Sequence, residues 1–154
     1  MNEPTAGPRP DFMRLALDEA ARAGARGEVP VGAVLVCDGQ ALAMEGNRTR
    51  ELNDPTAHAE MLVIRAAAAR LGSDRLTDCD LYVTLEPCTM CAGAIAWSRL
   101  RRVYYGAPDP KGGAIESGVR FFSGPTCHHH PDIYGGLGEI EAAELLRRFF
   151  AGLR

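Results

Sequence analysis

The sequence predicts an α/β fold, in which helices cover the faces of a β-sheet. Two observations carry this prediction: an amphipathic helix pattern opens the chain, and helical segments then alternate with short apolar runs rich in β-branched residues. The 154 residues, of which 46% are hydrophobic, suffice for one globular domain but not for a second. We therefore expect a single domain over residues 1–154.

The first half of the chain predicts two helices separated by a β-hairpin. In chain order, these elements are a helix over 11–24, strands over 31–37 and 40–45, and a helix over 54–71. Asp38-Gly39 is a hairpin-turn signal between the two strands. Asp54 is predicted as the N-cap of the second helix, with Pro55 at its first position and Gly72 after its end.

The second half continues the alternation of strands and helices. Its predicted elements are a strand over 81–85, a helix over 87–98, a strand over 102–105 and a terminal amphipathic helix over 139–152. Residues 106–138 are rich in Gly, Pro and polar side chains, which indicates a loop with short pieces of structure.

Two features bear on where the protein works. No apolar run reaches the roughly 20 residues that a membrane-spanning helix needs. Residues 1–10 lack the apolar core of a secretory signal, and their Pro and Gly content predicts a frayed tail. We therefore expect a cytoplasmic protein.

Cysteine usage and net charge narrow the class of function. The five cysteines are an odd number, and Cys88 and Cys91 are too close together for a disulfide framework. We expect a reducing compartment and metal chemistry rather than cross-linking. The formal net charge of -3 gives no global basic signature, so any contact with nucleic acid would depend on a local patch.

Two short motifs carry the predicted chemistry. His58-x-Glu60 and Pro87-Cys88-x-x-Cys91 each fall in the first turn of a predicted helix. Cys88 and Cys91, three residues apart, share one helical face, and a helix N-terminus stabilises thiolates. An H-x-E motif followed by P-C-x-x-C is the signature of zinc-dependent nucleobase deaminases.

Three protein ligands predict a catalytic rather than a structural zinc ion. His58, Cys88 and Cys91 leave the fourth coordination position to water, whereas a structural zinc takes four protein ligands. Glu60 lies two residues from a ligand, so its carboxylate can face that water and act as the catalytic acid and base.

A structural zinc stays open as an alternative, because the chain has other residues that could supply a fourth ligand. They are Cys37, Cys79, Cys127 and the run His128-His129-His130. None of them forms a second pair at zinc-ribbon spacing. Cys37 and Cys79 are more simply interpreted as small buried hydrophobes, and the histidine run as a solvated loop.

The metal motifs alone fit several nucleobase deaminases, and further segments of the sequence narrow the choice among them. In chain order they are Glu28 to Val34, Gly46-Asn47-Arg48, Asp54 to Glu60, Leu81 to Cys88, Met90 to Ile95, Gly106-Ala107, Asp109 and Lys111. With these segments the chain resembles, over most of its length, the bacterial tRNA adenosine deaminases of the cytidine deaminase-like superfamily. The resemblance implies a three-layer α/β/α fold with a five-stranded mixed sheet, a homodimer, one zinc ion per chain, and conversion of the wobble adenosine of a tRNA anticodon to inosine.

The resemblance also implies a set of substrate-binding residues. The set consists of Val29, Asn47, Ala59, Asp109, Lys111 and Phe149. Asn47 would hydrogen-bond the flipped base and its ribose, and the backbone at Ala59 would read the base edge. Arginines offer additional contacts to phosphates, at Arg48, Arg50, Arg101, Arg102, Arg147 and Arg148.

Some of these residues also have purely structural interpretations, and two other functions are alternatives to tRNA deamination. Asn47 after Gly46 is a common turn residue, and Phe149 and Phe150 fit the apolar face of the last helix. One rival function is a deaminase of a free base or nucleotide such as guanine. The other is a non-catalytic RNA-binding module that holds a structural zinc.

Overall fold

The structure is a computed structural model and describes residues 11–153, so the predicted N-terminal tail lies outside the described residues. Its elements are α1 (Phe12–Ala25), β1 (Gly32–Cys37), β2 (Gln40–Gly46), α2 (Ala59–Leu71), β3 (Cys79–Leu85), α3 (Thr89–Ser98), β4 (Arg102–Ala107), β5 (Asp132–Tyr134) and α4 (Glu139–Ala151). A 3-10 turn over Phe121–Ser123 and β5 are short pieces of structure in the predicted loop region 106–138. Each helix in the described part is too short or too polar to span a bilayer.

The five strands form one mixed sheet in the order β2-β1-β3-β4-β5. β1 runs antiparallel to both β2 and β3, whereas β3, β4 and β5 are parallel to one another. The helix α3 connects the parallel neighbours β3 and β4, so it starts at the carboxyl edge of the sheet. That edge is where open α/β sheets place their ligand sites.

Helices cover both faces of the sheet, which confirms the three-layer α/β/α prediction. Along β1 the side chains alternate between the two layers, because successive residues of a strand point to opposite faces. Ala33 and Leu35 join the core beneath α2 and α3, whereas Val34 and Val36 join the core beneath α1 and α4. All four are buried, which explains why this strand is apolar along most of its length.

The predicted starts of α2 and α3 are wrong by a few residues. α2 begins at Ala59 rather than after Asp54, and His58 is its N-cap. The Oδ1 atom of Asp54 accepts hydrogen bonds from both N and Oγ1 of Thr56, so the side chain forms a local turn in place of a helix cap. α3 begins at Thr89 with Cys88 as its N-cap. Both N-caps are therefore predicted metal ligands.

The expectation that no cysteines cross-link is wrong for one pair. Cys37 and Cys79 are joined as a disulfide, with a sequence separation of 42 and 4.5 Å between their Cα atoms. The two residues lie directly opposite each other on the antiparallel strands β1 and β3. Strand register brings them together, and register is not visible in residue spacing. Cys79 belongs to the core beneath α2 and α3, and the partly buried Cys37 packs against that core, so the interpretation as a buried apolar residue holds fully for Cys79 and in part for Cys37.

Candidate active site

Three side chains converge where α2 and α3 begin. The Nδ1 atom of His58 lies 3.6 Å from Sγ of Cys88 and 3.5 Å from Sγ of Cys91. Their ligand atoms all lie within 4.8 Å of one another, so one ion could contact all three. The structure thus brings together the three residues that the sequence predicts as metal ligands.

The two thiols of this cluster titrate as a pair. A hydrogen bond from Cys91 lowers the pKa of the Cys88 thiol to about 4, against the opposing effect of burial, and His58 contributes in the same direction. The same hydrogen bond, together with burial, raises the pKa of Cys91. The first proton is therefore lost at Cys88, and a bound cation would favour the thiolate form of both residues.

The donor set fits zinc. Two cysteine sulfurs and one imidazole nitrogen, beside a cavity, are a set that zinc prefers and that leaves a position open. Within residues 11–153, no other group of three or more His, Cys, Asp or Glu side chains is close enough to hold one ion.

Most of the residues proposed as a fourth ligand have other partners. Cys37 and Cys79 form the disulfide, and Sγ of Cys127 donates to the backbone oxygen of His129. The ring nitrogen Nε2 of His129 lies 2.6 Å from the oxygen of Leu100. The geometry therefore gives no support to a four-ligand structural site.

Glu60 lies beside the cluster and outside its ligand set. It is the second residue of α2, is 4% exposed, and lines the same cavity as His58 and Cys88. Burial raises the pKa of its carboxyl group, and the proximity of His58 partly opposes the rise. A carboxyl group in this position can exchange protons with a ligand in the cavity while it is shielded from bulk water.

The cavity in front of the cluster has a volume of about 330 Å³, within the range of small-ligand pockets. Val29 and Asn47 form part of its wall, and Asp109 lies at its rim. All three were predicted as substrate-binding residues. Ala59 is fully buried and is not among the residues that line the cavity, so a contact of its backbone with the base stays a prediction.

A second depression, of about 700 Å³, adjoins the first. The two share Val29, Leu85 and Asp109, and the second adds Lys111 and Phe150. Phe149 lines neither of them, and its ring packs edge-on against Phe150 at 5.3 Å between centroids. The structure thus places Phe150, rather than Phe149, beside the depression.

A buried carboxylate that the sequence analysis missed shapes the rim. Glu86, 2% exposed, accepts hydrogen bonds from the backbone N–H groups of four residues and from one hydroxyl. These donors are Asp109, Ile115, Glu116 and Ser117 through their backbones, and Ser117 through Oγ. Burial opposes ionisation, but these donors outweigh it and hold the pKa of Glu86 below its usual value. Glu86 directly follows β3, so these hydrogen bonds hold the loop over 109–117 against the carboxyl end of that strand.

Several predicted RNA contacts are engaged within the protein. The Oδ1 atom of Asp109 accepts from the backbone N–H groups of Lys111 and Gly112, so this carboxylate shapes its own loop. Most of the candidate arginines form ion pairs with carboxylates: Arg48 with Glu45 and Glu51, Arg101 and Arg102 with Asp80, and Arg147 and Arg148 with Glu144. Phosphate binding by these arginines would compete with those pairs.

Comparison with known proteins assigns this arrangement to a class. Residues 8–107 match the family model for the cytidine and deoxycytidylate deaminase zinc-binding region. The fold and the His-Cys-Cys cluster thus define a zinc-binding deaminase.

Individual relatives narrow that class. The tRNA-specific adenosine deaminase of Agrobacterium fabrum is 69% identical over 142 residues, which cover 92% of this chain and 93% of that protein. A solved structure from a study of A-to-I editing by tRNA:A34 deaminases has a TM-score of 0.87 and 70% identity, and the match covers 88% of this chain and 98% of that one. A guanine deaminase from Nitrosomonas europaea has a TM-score of 0.81 at 26% identity, over 97% of this chain and 89% of that one. The chain belongs to the family of bacterial tRNA-specific adenosine deaminases.

Proposed function

We propose that the protein deaminates the wobble adenosine of a tRNA anticodon to inosine. One observation carries the proposal: a base-sized cavity, with Glu60 and two residues of the His-Cys-Cys cluster, His58 and Cys88, in its wall, adjoins a larger depression that contains Lys111 and Phe150. A cation and an exposed aromatic ring outside the base pocket suit nucleotides that flank the reacting base. The similarity to tRNA-specific deaminases supports the same substrate.

The proposed chemistry divides between the metal site and Glu60. When held by His58, Cys88 and Cys91, one zinc ion per chain supplies Lewis-acid activation of water at neutral pH. Glu60 takes a proton from the attacking water and delivers it to N1 of adenine. It then passes a second proton to the departing amino group, so that adenosine and water become inosine and ammonia.

The pocket residues orient the base. Asn47 is 6% exposed, and its Nδ2 atom donates to Oγ1 of Thr49 at 3.2 Å. The amide has an oxygen and a second N–H to offer to the base or ribose. Val29 packs against the base, and the backbone at Ala59 reads its edge. A base stacked in an anticodon loop must flip out to reach this pocket, which is easiest where the nucleic acid is single-stranded.

The segments outside the pocket bind the rest of the loop. Asp109 and Lys111 lie near the flanking nucleotides, and the Phe149-Phe150 pair lies near the anticodon loop, with Phe150 closer to the depression. A tRNA substrate also supports a cytoplasmic location.

The proposal includes a homodimer of single-domain chains. Trp97 on α3 is 72% exposed, and a large apolar side chain with this exposure supports an interface at α3. Sedimentation of the wild type and of Trp97→Arg tests this: we expect a dimer that the substitution weakens, and a monomeric wild type would contradict it.

A substrate panel tests the proposed function. Zinc-loaded protein is incubated with an anticodon stem-loop that carries adenosine at the wobble position, and in parallel with free adenosine, cytidine and guanine. We expect inosine in the stem-loop at a kcat/KM far above that for any free compound. The affinity should fall as salt rises, with a logarithmic slope of about 0.7 per phosphate contact. Efficient turnover of guanine, with no reaction on the stem-loop, would instead assign the chain to free-base deamination.

A further inference from the structure

A buried carboxylate lies behind the wall of the base pocket. Glu28, in the connection between α1 and β1, is only 1% exposed. Its Oε1 atom accepts the backbone N–H of Arg50 at 3.1 Å, and Oε2 accepts the backbone N–H of Glu51 at 2.9 Å. Burial of a carboxylate costs free energy unless it is hydrogen-bonded, so these two contacts fix the carboxylate and the two amides relative to each other.

The segment that Glu28 holds carries part of the pocket. Asn47 and Thr49 both line the cavity of about 330 Å³, and their side chains are hydrogen-bonded to each other. Residues 47–51 form turns and irregular backbone rather than a helix or strand. Contacts from outside the segment therefore determine where the Asn47 side chain lies.

The other end of the segment is held by the same region of the chain. Nη2 of Arg26 donates to the backbone oxygen of Asn47 at 3.1 Å. The preceding Gly46 packs so closely against α1 that a Cβ atom would lie 2.9 Å from Cβ of Ala23. Arg26 fixes the start of the segment and Glu28 fixes its end. Glu28 directly precedes Val29, which also lines the pocket.

We infer that Glu28 is a positioning residue for the deamination, which acts by holding Asn47 in the geometry that binds the base. A glutamine in its place would present one oxygen and one NH₂ group, and the NH₂ group would face a backbone N–H donor. The segment would then shift without any change to the zinc ligands or to Glu60. The inference rests on the proposed function, because it takes Asn47 as a base-binding residue.

A double-mutant cycle tests the inference. Glu28→Gln, Asn47→Ala and the double variant are compared with the wild type for zinc content and for kcat/KM on the anticodon stem-loop. We expect Glu28→Gln to retain zinc and to lower kcat/KM by about 10- to 100-fold, since displacement of a binding group by about 1 Å costs that much. In the Asn47→Ala background, the same substitution should cost less than about threefold. If the losses in kcat/KM of the two single variants simply multiply in the double variant, the inference is overturned.

Glu51→Gln is the matched control. Like Glu28→Gln, it removes one negative charge. The Glu51 side chain pairs with Arg48, so this substitution leaves the hydrogen bond from the Glu51 backbone amide to Glu28 in place. We expect this variant to stay within about twofold of wild-type kcat/KM, because an exposed pair contributes little. An equal loss in Glu51→Gln and Glu28→Gln would count against the inference. If Glu28→Gln does not fold, Glu28→Asp keeps the charge but withdraws it from the amides, and the same cycle applies.

Amide hydrogen exchange separates this inference from the proposed function. We expect Glu28→Gln to speed exchange at the Arg50 and Glu51 amides, and unchanged exchange there would overturn the inference whatever the activity. A wild type that exchanges slowly at these amides but does not deaminate the stem-loop would reject the proposed function, and with it the role in deamination, but not the hold of Glu28 on the segment. Full activity of Asn47→Ala would reject the Asn47 contact, and with it the route through which Glu28 acts.

Discussion

Replacement of Glu86 by glutamine should destabilise the rim of the active site. In the wild type, Oε2 accepts three backbone N–H groups, at 2.9 to 3.1 Å, and Oε1 accepts one backbone N–H and the Ser117 hydroxyl, both at 2.9 Å. Glutamine supplies one oxygen, so its NH₂ group must face the donors on one side. At least one backbone amide then loses its acceptor, that of Asp109 if the NH₂ group takes the place of Oε1, and the remaining bonds lose their ionic character.

The magnitude follows from those contacts. A buried N–H without a partner costs about 1–3 kcal/mol, and a hydrogen bond to a charged group contributes about 1.5–3 kcal/mol. We therefore expect Glu86→Gln to lower the free energy of unfolding by about 2–4 kcal/mol. Ser117→Ala is the matched control, because it removes only the hydroxyl donor and should cost about 1 kcal/mol.

Urea unfolding of both variants, with zinc held in excess, provides the measurement. Zinc must be held constant because any ligand of the folded state adds to its apparent stability. A loss below about 0.5 kcal/mol in Glu86→Gln would refute the assignment of Glu86 as the anchor of the 109–117 loop.

Two further predictions concern the metal site and the helix layer on the opposite face. Cys88→Ala or His58→Ala should lower the zinc content of the purified protein from about one ion per chain, because three ligands leave no redundancy; full retention in both variants would contradict the ligand assignment. The hydrogen bond from Arg14 lowers the pKa of Glu141, so the α1–α4 ion pair contributes stability above the unfolded pKa and loses it as the pH falls through the folded pKa. Glu141→Gln should therefore cost about 0.5 kcal/mol at pH 7, a value kept small because both side chains are nearly half exposed, and almost nothing near pH 3. Urea midpoints at the two pH values measure the difference, and an equal cost at both would contradict it.

Local signals predicted much of the fold. Asp38-Gly39 indicated a hairpin, and both residues have positive φ angles, 52° and 72°, as a two-residue hairpin turn requires. The apolar run over 31–37 corresponds to β1, which is buried on both faces. The α2 start was misplaced because Asp54-Pro55-Thr56 is as compatible with a side-chain turn as with a helix cap. The Cys37–Cys79 pairing depends on the register of β1 and β3, which lies beyond local pattern.

The candidate site, like the fold, was predicted only in part from the sequence. Ligand types and helix-start signals identified His58, Cys88 and Cys91, because a metal needs particular donors at particular spacing. Glu28 and Glu86 were missed as anchors, because charged residues are mostly exposed and their backbone partners lie 22 to 31 residues away. Phe150 rather than Phe149 lines the second depression. The sequence could not distinguish the two, because the directions of adjacent side chains depend on how α4 packs.

The central claim is that Glu60 transfers protons in a zinc-dependent deamination. Glu60→Gln keeps the size of the side chain and removes only its ability to take up and release a proton at the carboxylate. The most direct measurement is single-turnover formation of inosine in the stem-loop by this variant and by the wild type, both with measured zinc content. We expect full zinc content and a rate lower by about 10²- to 10⁴-fold. A zinc-loaded Glu60→Gln protein that forms inosine at the wild-type rate would contradict the claim.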